Sequence, residues 1–177
     1  MIKKMILAAA FVSLAAVGFA GCSSEDKKSG EFLQKSAHGA PMEVELGKLV
    51  AARATRDDVR RFAQTMVEDH TREMDELRQL AAKKTMTLDF TPDKEKREKI
   101  EEIKQKSGSS LDTDCVEWMV KDHTEDVDSV KKQAESGTDA DVKAFAAKSL
   151  PMMQHHLEMA RQIVWGHCHY ATAIRGQ

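Results

Sequence analysis

The chain has little proline, little glycine and few aromatic residues: 3 Pro, 9 Gly and an aromatic share of 5% in 177 residues. β-Sandwiches and barrels depend on turn residues and on aromatic side chains, so this composition disfavours them and favours helices. Neither charge sign dominates, because 27 Lys and Arg stand against 29 Asp and Glu. That balance excludes nucleic-acid binding through bulk positive charge. We expect one all-α domain of ordinary size.

Several catalytic signatures are also absent from the sequence. It has no Cys-x-x-Cys-His motif for covalent haem, no glycine-rich phosphate loop, and no Ser or Cys nucleophile placed near a plausible base. A non-covalent haem held by two histidines stays open. These absences favour a binding protein over an enzyme.

The long apolar run of this chain lies at the amino terminus. Lys3 and Lys4 precede an uncharged run from Met5 to Ala20 that ends in small residues. A membrane-spanning helix is the alternative, but the run is short for the ~20 apolar residues that cross a bilayer. Residues 1–21 are therefore predicted to be a cleaved export signal.

The end of this signal resembles the lipobox of bacterial lipoproteins. The string Phe19-Ala20-Gly21-Cys22 predicts acylation of Cys22, and Ser23 after it resembles lipoproteins sorted to the outer membrane. The protein would then be held at the periplasmic face of that membrane. Phe19 departs from the usual Leu or Val, so cleavage after Ala20, which gives a soluble periplasmic protein, stays open.

Beyond the signal, the sequence divides into a tether, a helical domain and a tail. Residues 22–30 are polar and predict a tether, residues 31–166 carry apolar side chains at three- and four-residue spacing, and residues 167–177 form the tail. We predict long helices over about 30–54, 56–84, 112–136 and 138–166, with Thr55 as the cap of the second and Thr138 as the cap of the last. A short charged crossover helix starts at Thr91-Pro92-Asp93 and ends at Ser107-Gly108. Pro41 and Pro151 should bend the helices that contain them. The pattern predicts a ferritin-like four-helix bundle with an extra short helix.

Three histidines lie on apolar faces of the predicted helices. At about 100° per residue, His70, His123 and His156 each fall near the centre of an apolar stripe. Residues 66–71 and 119–124 both read Met-Val-x-Asp-His-Thr. On the first helix Glu43 flanks the stripe, whereas Glu45 points away from it. We therefore predict that one glutamate and three histidines meet at a similar level of the bundle.

This set of side chains matches the ligand chemistry of transition metals. Imidazole nitrogen and carboxylate suit copper, iron or zinc. Met66, Met119 and Met152 each stand four residues before one of the three histidines, and their thioethers would favour copper(I). The alternative is structural: methionine fills gaps in helical cores, and the histidines and Glu43 would form a buried hydrogen-bonded network.

Other polar residues near the stripes have weaker signals. Glu73 and Asp126 follow His70 and His123 by three residues, and each is either a partner of that histidine or a solvated flank residue. His155 points away from its stripe and is expected at the surface.

The cysteines predict a disulfide. If Cys22 is acylated, Cys115 and Cys168 are the remaining thiols in an oxidising compartment. Antiparallel packing of the last two long helices would bring both to one end of the bundle. Alternatively, His167, Cys168 and His169 form a terminal metal-binding patch.

The pattern of the mature chain resembles an exported bacterial family of unknown function, labelled "predicted outer membrane protein" or domain of unknown function four-one-four-two. The resemblance covers roughly residues 30 to 165 and is carried by Phe32, Glu43, Leu46, Gly47, Phe62, Ala63, Met66, Val67, Asp69, His70, Met119, Val120, His123, Leu150, Pro151, His156, Leu157 and Ala160. It implies a ferritin-like bundle in the periplasm and no established activity. The Met- and His-rich string from 152 to 160 also resembles a second exported ferritin-like family with suspected copper handling.

Two functions follow from these observations. The first is a lipid-anchored periplasmic protein that binds or handles a transition metal through Glu43, His70, His123 and His156. The second is a non-enzymatic structural or protein-interaction module of the cell envelope, in which the same residues form a buried network. In either case we expect no nucleic-acid partner.

Overall fold

Five helices make up the fold. The computed structural model describes the backbone of residues 24–175 and the side chains of residue 24 and residues 26–166. The helices are α1 (Ser24–Arg53), α2 (Asp57–Lys83), α3 (Lys94–Lys104), α4 (Gly108–Ser136) and α5 (Ala140–Arg175). Within these residues there is no strand, so the all-α prediction is confirmed.

The four long helices form a ferritin-like bundle. Short connections join α1 to α2 and α4 to α5 as two packed hairpins, and α2 against α5 and α1 against α4 close the ring. The short helix α3 crosses between the hairpins and lies on α1 and α4. It buries Ile100 and Ile103 and exposes most of its charged side chains, whereas Lys96 is largely buried and pairs with Asp122 of α4. Pro41 and Pro151 lie inside helices that continue on both sides of them.

The core is divided into two apolar clusters. The first cluster contains Met42, Leu46, Val50, Phe62, Met66, Leu111, Val116, Met119 and Ala160 among others. The second contains Phe32, Leu33, Leu77, Val130, Val142, Phe145 and Met153 among others. On α2 and α4, His70 and His123 stand between members of the two clusters. The bundle therefore has a polar layer between two apolar layers.

Two helix starts differ from the predicted positions. α1 begins at Ser24, so residues 24–30, predicted as part of a tether, form its first turns. Adding turns to an existing helix costs little, because the unfavourable step is nucleation. α4 begins at Gly108 rather than near Asp112, and Ser107 and Gly108 start α4 instead of ending α3. Gly108 has a φ of 58°, a conformation that glycine adopts without steric cost.

The amino-terminal caps also differ in part from the prediction. α3 starts at the predicted Thr91-Pro92-Asp93 string, where the carboxylate of Asp93 accepts a hydrogen bond from Lys96 N. At the start of α5 the cap is Asp139, not Thr138, because its carboxylate accepts from the backbone of Asp141 and Val142. The predicted cap of α2, Thr55, is itself held by a carboxylate from α4, that of Asp112.

The α1–α2 hairpin depends on a glycine. A Cβ at Gly47 would lie 2.8 Å from Val67 Cγ2 and 3.0 Å from the carbonyl oxygen of Ala63, both on α2. Glycine thus permits the close approach of the two helices.

Gly47→Ala should lower the free energy of unfolding by about 1–3 kcal/mol, since a backbone oxygen cannot move aside and overpacking of this kind strains a core. Urea denaturation measures the change. The matched control is Gly39→Ala on the same helix, where the nearest atoms would lie 3.9 Å or more away. Its stability should stay the same or rise, because alanine favours helix. Equal stability of both variants would show that α1 can shift away from α2.

The predicted export and lipid signals lie outside the described residues, as does the side chain of Cys168. None of the helices in the described part of the chain has the length and apolar character needed to span a bilayer. The backbone of α5 continues to Arg175, through most of the predicted tail.

Candidate metal centre

Three long helices place one histidine each in the polar layer. His70 on α2, His123 on α4 and His156 on α5 are all fully buried, with 0% exposure. Their ring centroids form a triangle with sides of 5.1, 5.5 and 5.8 Å. The inward direction predicted for these side chains is confirmed. We call His70, His123 and His156 the histidine triad.

His70 is held by two carboxylates from two helices. Its Nδ1 lies 2.8 Å from Glu73 Oε2, one turn along α2, and 3.0 Å from Glu43 Oε2 on α1. Both glutamates are buried. A carboxylate accepts a hydrogen bond, so Nδ1 of His70 carries a proton and its Nε2 is the remaining nitrogen.

The other two histidines are each held through one nitrogen as well. Nδ1 of His123 donates to the carbonyl oxygen of Met119 at 3.2 Å. Nε2 of His156 donates to Asp69 Oδ2 at 2.9 Å, a contact from α5 to α2. These acceptors fix the tautomer and the orientation of each ring, which is the arrangement that metal-binding histidines commonly have.

The second nitrogen of every triad ring lacks a partner. Among the described residues, His70 Nε2, His123 Nε2 and His156 Nδ1 are buried and have no hydrogen-bond partner. One nitrogen from each of the three rings lies within 4.8 Å of one from each of the others. A buried, unpaired polar atom costs about 1–3 kcal/mol. Imidazole nitrogens are among the atom types that transition-metal ions accept as ligands.

Burial and charge set different protonation states in the triad. Burial, together with the neighbouring His70, lowers the pKa of His123 well below its usual value and that of His156 to about 4. Burial also opposes a charge on His70, but the carboxylates that face it, Glu43 first, raise its pKa to about 9. Burial raises the pKa of Glu43 to about 8. His123 and His156 are thus neutral at pH 7, as metal ligands must be, and His70 keeps a proton that a metal can replace.

Glu43 lies beside the triad. Besides its contact with His70, its Oε1 is 3.5 Å from His123 Nε2. Within the described residues it belongs to two further groups with metal-ligand spacing, one with His70 and Glu73 and one with Asp122 and His123. The structure therefore brings all four predicted ligands together, with three histidines in one group and Glu43 in contact with two of them.

The predicted thioether ligands do not share one cluster. Met66 and Met119 are buried in the first apolar cluster, whereas Met152 is partly buried against the second.

Two carboxylates that hold the triad were not predicted as site residues from the sequence. Glu73, left open as a solvated flank residue, is buried and contacts His70. Asp69 was noted only as part of a sequence pattern and was not predicted to contact a histidine, although its carboxylate accepts a hydrogen bond from His156. Burial opposes the charge on Asp69, but hydrogen bonds from His156 and Arg72 lower the pKa of its carboxyl below the usual value. Asp126, three residues after His123, instead pairs with Lys35 at 2.9 Å.

Cys115 lies in the first apolar cluster and has no disulfide partner among the described side chains. Burial raises the pKa of this thiol to about 12, so it is unreactive in the folded state. Its predicted partner, Cys168, lies outside the described side chains, and their pairing stays a prediction.

Comparison with known families identifies the domain. The model of the family described as "Domain of unknown function (DUF4142)" matches residues 18–163. This chain belongs to the DUF4142 family. The match spans the whole of the polar layer, so the histidine triad lies within the DUF4142 domain.

The DUF4142 domain also resembles a solved structure of another family. The crystal structure of a DUF305 protein from Streptomyces coelicolor, described as secreted, aligns with a TM-score of 0.64 and 13% identity over 75% of this chain and 88% of that chain. At that identity the likeness shows a shared fold. No curated protein matches the sequence.

Proposed function

We propose that this DUF4142 domain is an exported, lipid-anchored periplasmic protein that binds one divalent transition-metal ion through His70, His123 and His156. Storage or handling of the ion fits the site better than turnover. The observation that carries the proposal is the set of three buried imidazole nitrogens without partners. Each belongs to a ring whose other nitrogen is already held by an oxygen.

The charges around the triad favour a divalent ion. The nearby Asp126 and Asp122 pair with Lys35 and Lys96, each at 2.9 Å. Among the described residues, no lysine or arginine pairs with the buried carboxylates Glu43 and Glu73, whose cationic neighbour is His70. A dication bound to neutral imidazoles would take the place of the positive charge on His70 beside these two groups and would favour the ionised form of Glu43, whose pKa burial raises to about 8. Zinc, iron(II) and copper(II) all accept imidazole ligands.

The rival function is a structural module in which the same residues form a closed hydrogen-bonded network. Such a network stabilises a core when every member is satisfied. Here, within the described part of the chain, each of the five central residues, which are the triad, Glu43 and Glu73, keeps one nitrogen or oxygen without a hydrogen-bond partner. An ion resolves this deficit better than the network does.

Elemental analysis tests the metal. The mature protein, recovered from its own periplasm without chelators or nickel affinity, should contain close to one equivalent of a transition metal. Reloading of stripped protein with zinc, iron(II) and copper then establishes the preference. Absence of metal in the native protein and after all three reloadings would favour the structural module.

The proposal of export and lipid anchoring rests on the sequence alone, on the signal-like residues 1–21 and on Cys22. Mass spectrometry of the mature amino terminus tests this part. An acylated Cys22 supports the anchor, and an unmodified terminus at Gly21 indicates a soluble periplasmic protein.

A further inference from the structure

We infer that Glu43 and Glu73 form an entry site where a divalent cation binds on its way from the surface to the histidine triad. This inference rests on the proposed function and adds a route for the ion. The observation behind it is a small cavity that Glu43 and Glu73 line.

The cavity is lined mainly by α1 and α4, with Glu73 from α2, Lys96 from α3 and Met153 from α5. Its volume is about 20 Å³, room for one water molecule or one ion. Glu43 and Glu73 line it, together with Gly39, Lys35, Lys96 and Asp126. The two glutamates are 1% and 5% exposed, so their carboxylates lie at the inner end of the cavity.

Each of the two glutamates that line the cavity has one oxygen atom without a partner. In the described part of the chain, Glu43 Oε1 and Glu73 Oε1 are buried without a hydrogen-bond partner. The other oxygen of each carboxylate contacts Nδ1 of His70. A cation on these carboxylates is therefore next to a triad ring.

A second depression on the opposite side of Glu73 is a less suitable route. It is lined by Asp69, Arg72, Glu76 and Lys148 among others. Its carboxylates already have cationic partners, since Asp69 pairs with Arg72 and Glu76 pairs with Lys148 at 2.6 Å. Glu73 borders both cavities, but Glu43, whose Oε1 has no partner among the described residues, lines the first and not the second, and this favours the first cavity.

An entry site and a positioning residue have different kinetic signatures. A site on the path lowers the barrier in both directions, so its removal slows uptake and release together and changes the equilibrium affinity little. A residue that only orients His70 acts on the bound state, so its loss speeds release and leaves uptake unchanged.

The test is stopped-flow uptake of Zn²⁺ by the apo protein and release to a chelating dye. Glu73→Gln keeps an oxygen to accept from His70 Nδ1 but removes the charge that attracts the ion. We expect the rate constant for uptake to fall about tenfold, the lower end of the effect of electrostatic focusing on association rates. Loss of this negative charge also weakens binding of the ion at the triad, so the slower uptake, and not the Kd, is the diagnostic result.

Gly39→Leu is an independent variant that changes no charge. A Cβ at Gly39 would point toward Lys96 Nζ and Glu43 Oε2, at 3.9 and 4.0 Å, so a leucine there narrows this cavity and not the second one. Uptake and release should both slow. Glu76→Gln, which lies on the second depression, is the matched control and should exchange zinc like the wild type.

Faster release with unchanged uptake in Glu73→Gln would overturn the entry site and leave Glu73 as a positioning residue. Wild-type exchange in Gly39→Leu, or slow exchange in Glu76→Gln, would also overturn it by placing the route elsewhere. Each of these results leaves the proposed function intact. Failure of the wild-type protein to bind Zn²⁺ at all, as well as copper and iron(II), would instead remove the proposed function, and the entry site with it.

Discussion

His123→Leu should lower the affinity for Zn²⁺ by more than about 100-fold while the apo domain stays folded. Loss of a residue that merely supports a ligand typically costs 10–100-fold, and removal of one of three ligands exceeds that. Leucine fills the space of the imidazole among the buried side chains of α4, so the bundle keeps its packing. Isothermal titration of the stripped protein with zinc measures the change, and circular dichroism checks the helices.

The stability of the apo variant separates the two candidate functions. His123 Nε2 has no partner among the described residues, and Nδ1 contacts the carbonyl of its own helix one turn back. Replacing an unsatisfied polar group by an apolar one of similar size is neutral or stabilising. We therefore expect an equal or higher melting temperature for apo His123→Leu. A network function predicts the reverse, a clear loss of stability with no dependence on metal.

His155→Leu is the control for this experiment. His155 is exposed and precedes a triad member directly in sequence. It should bind zinc like the wild type. If His155→Leu loses as much affinity as His123→Leu, zinc binds at the surface of α5 and the buried site is wrong.

Helical periodicity predicted which polar side chains of each helix point into the core. A histidine at the centre of an apolar stripe has to face the core, whichever helices pack against it. This is why His70, His123 and His156 were correctly predicted to converge. Glu43, on the flank of a narrower stripe, was also correctly predicted to point inward, and it is 1% exposed.

Contacts between helices were not predictable in the same way. Glu73 lies three residues beyond His70, at the edge of the stripe, where burial depends on how closely α1 and α5 cover α2. Asp69 precedes His70 and points to the side, yet it meets His156 because α5 packs there. Periodicity gives the face of a residue but not the neighbour that this face meets.

The same limit applies to the turn between α1 and α2. Thr55 was expected to cap α2 by itself, as its position and type suggest. Instead Arg56 occupies the cap position without a side-chain cap bond, and Thr55 donates its hydroxyl to a carboxylate from the start of α4, 57 positions later. That residue, Asp112, was predicted only as a helix start, although it is 2% exposed and is among the best-satisfied buried acids of the domain.

Asp112→Ala should destabilise the domain by about 3 kcal/mol, through loss of hydrogen bonds to a charged group. The Asp112 carboxylate accepts from Thr55 Oγ1 at 2.6 Å, from Thr55 N at 3.1 Å and from Arg56 N at 2.9 Å. It thereby fixes the α1–α2 turn to α4. For a domain of this size the melting temperature should fall by roughly 10 °C. Thermal unfolding with and without urea measures the change.

Two further variants test whether the loss comes from these bonds. Asp112→Asn keeps one oxygen acceptor without the charge and should lose about half as much stability. Asp114→Ala, next to it on α4, removes a partly exposed pair with Lys106 and should change stability by less than about 0.5 kcal/mol. Asp112 lies 11 positions from His123 on the same helix, about 16 Å along its axis. Folded Asp112→Ala should therefore bind zinc with wild-type affinity, and a parallel loss of zinc binding would show that the turn and the polar layer are coupled.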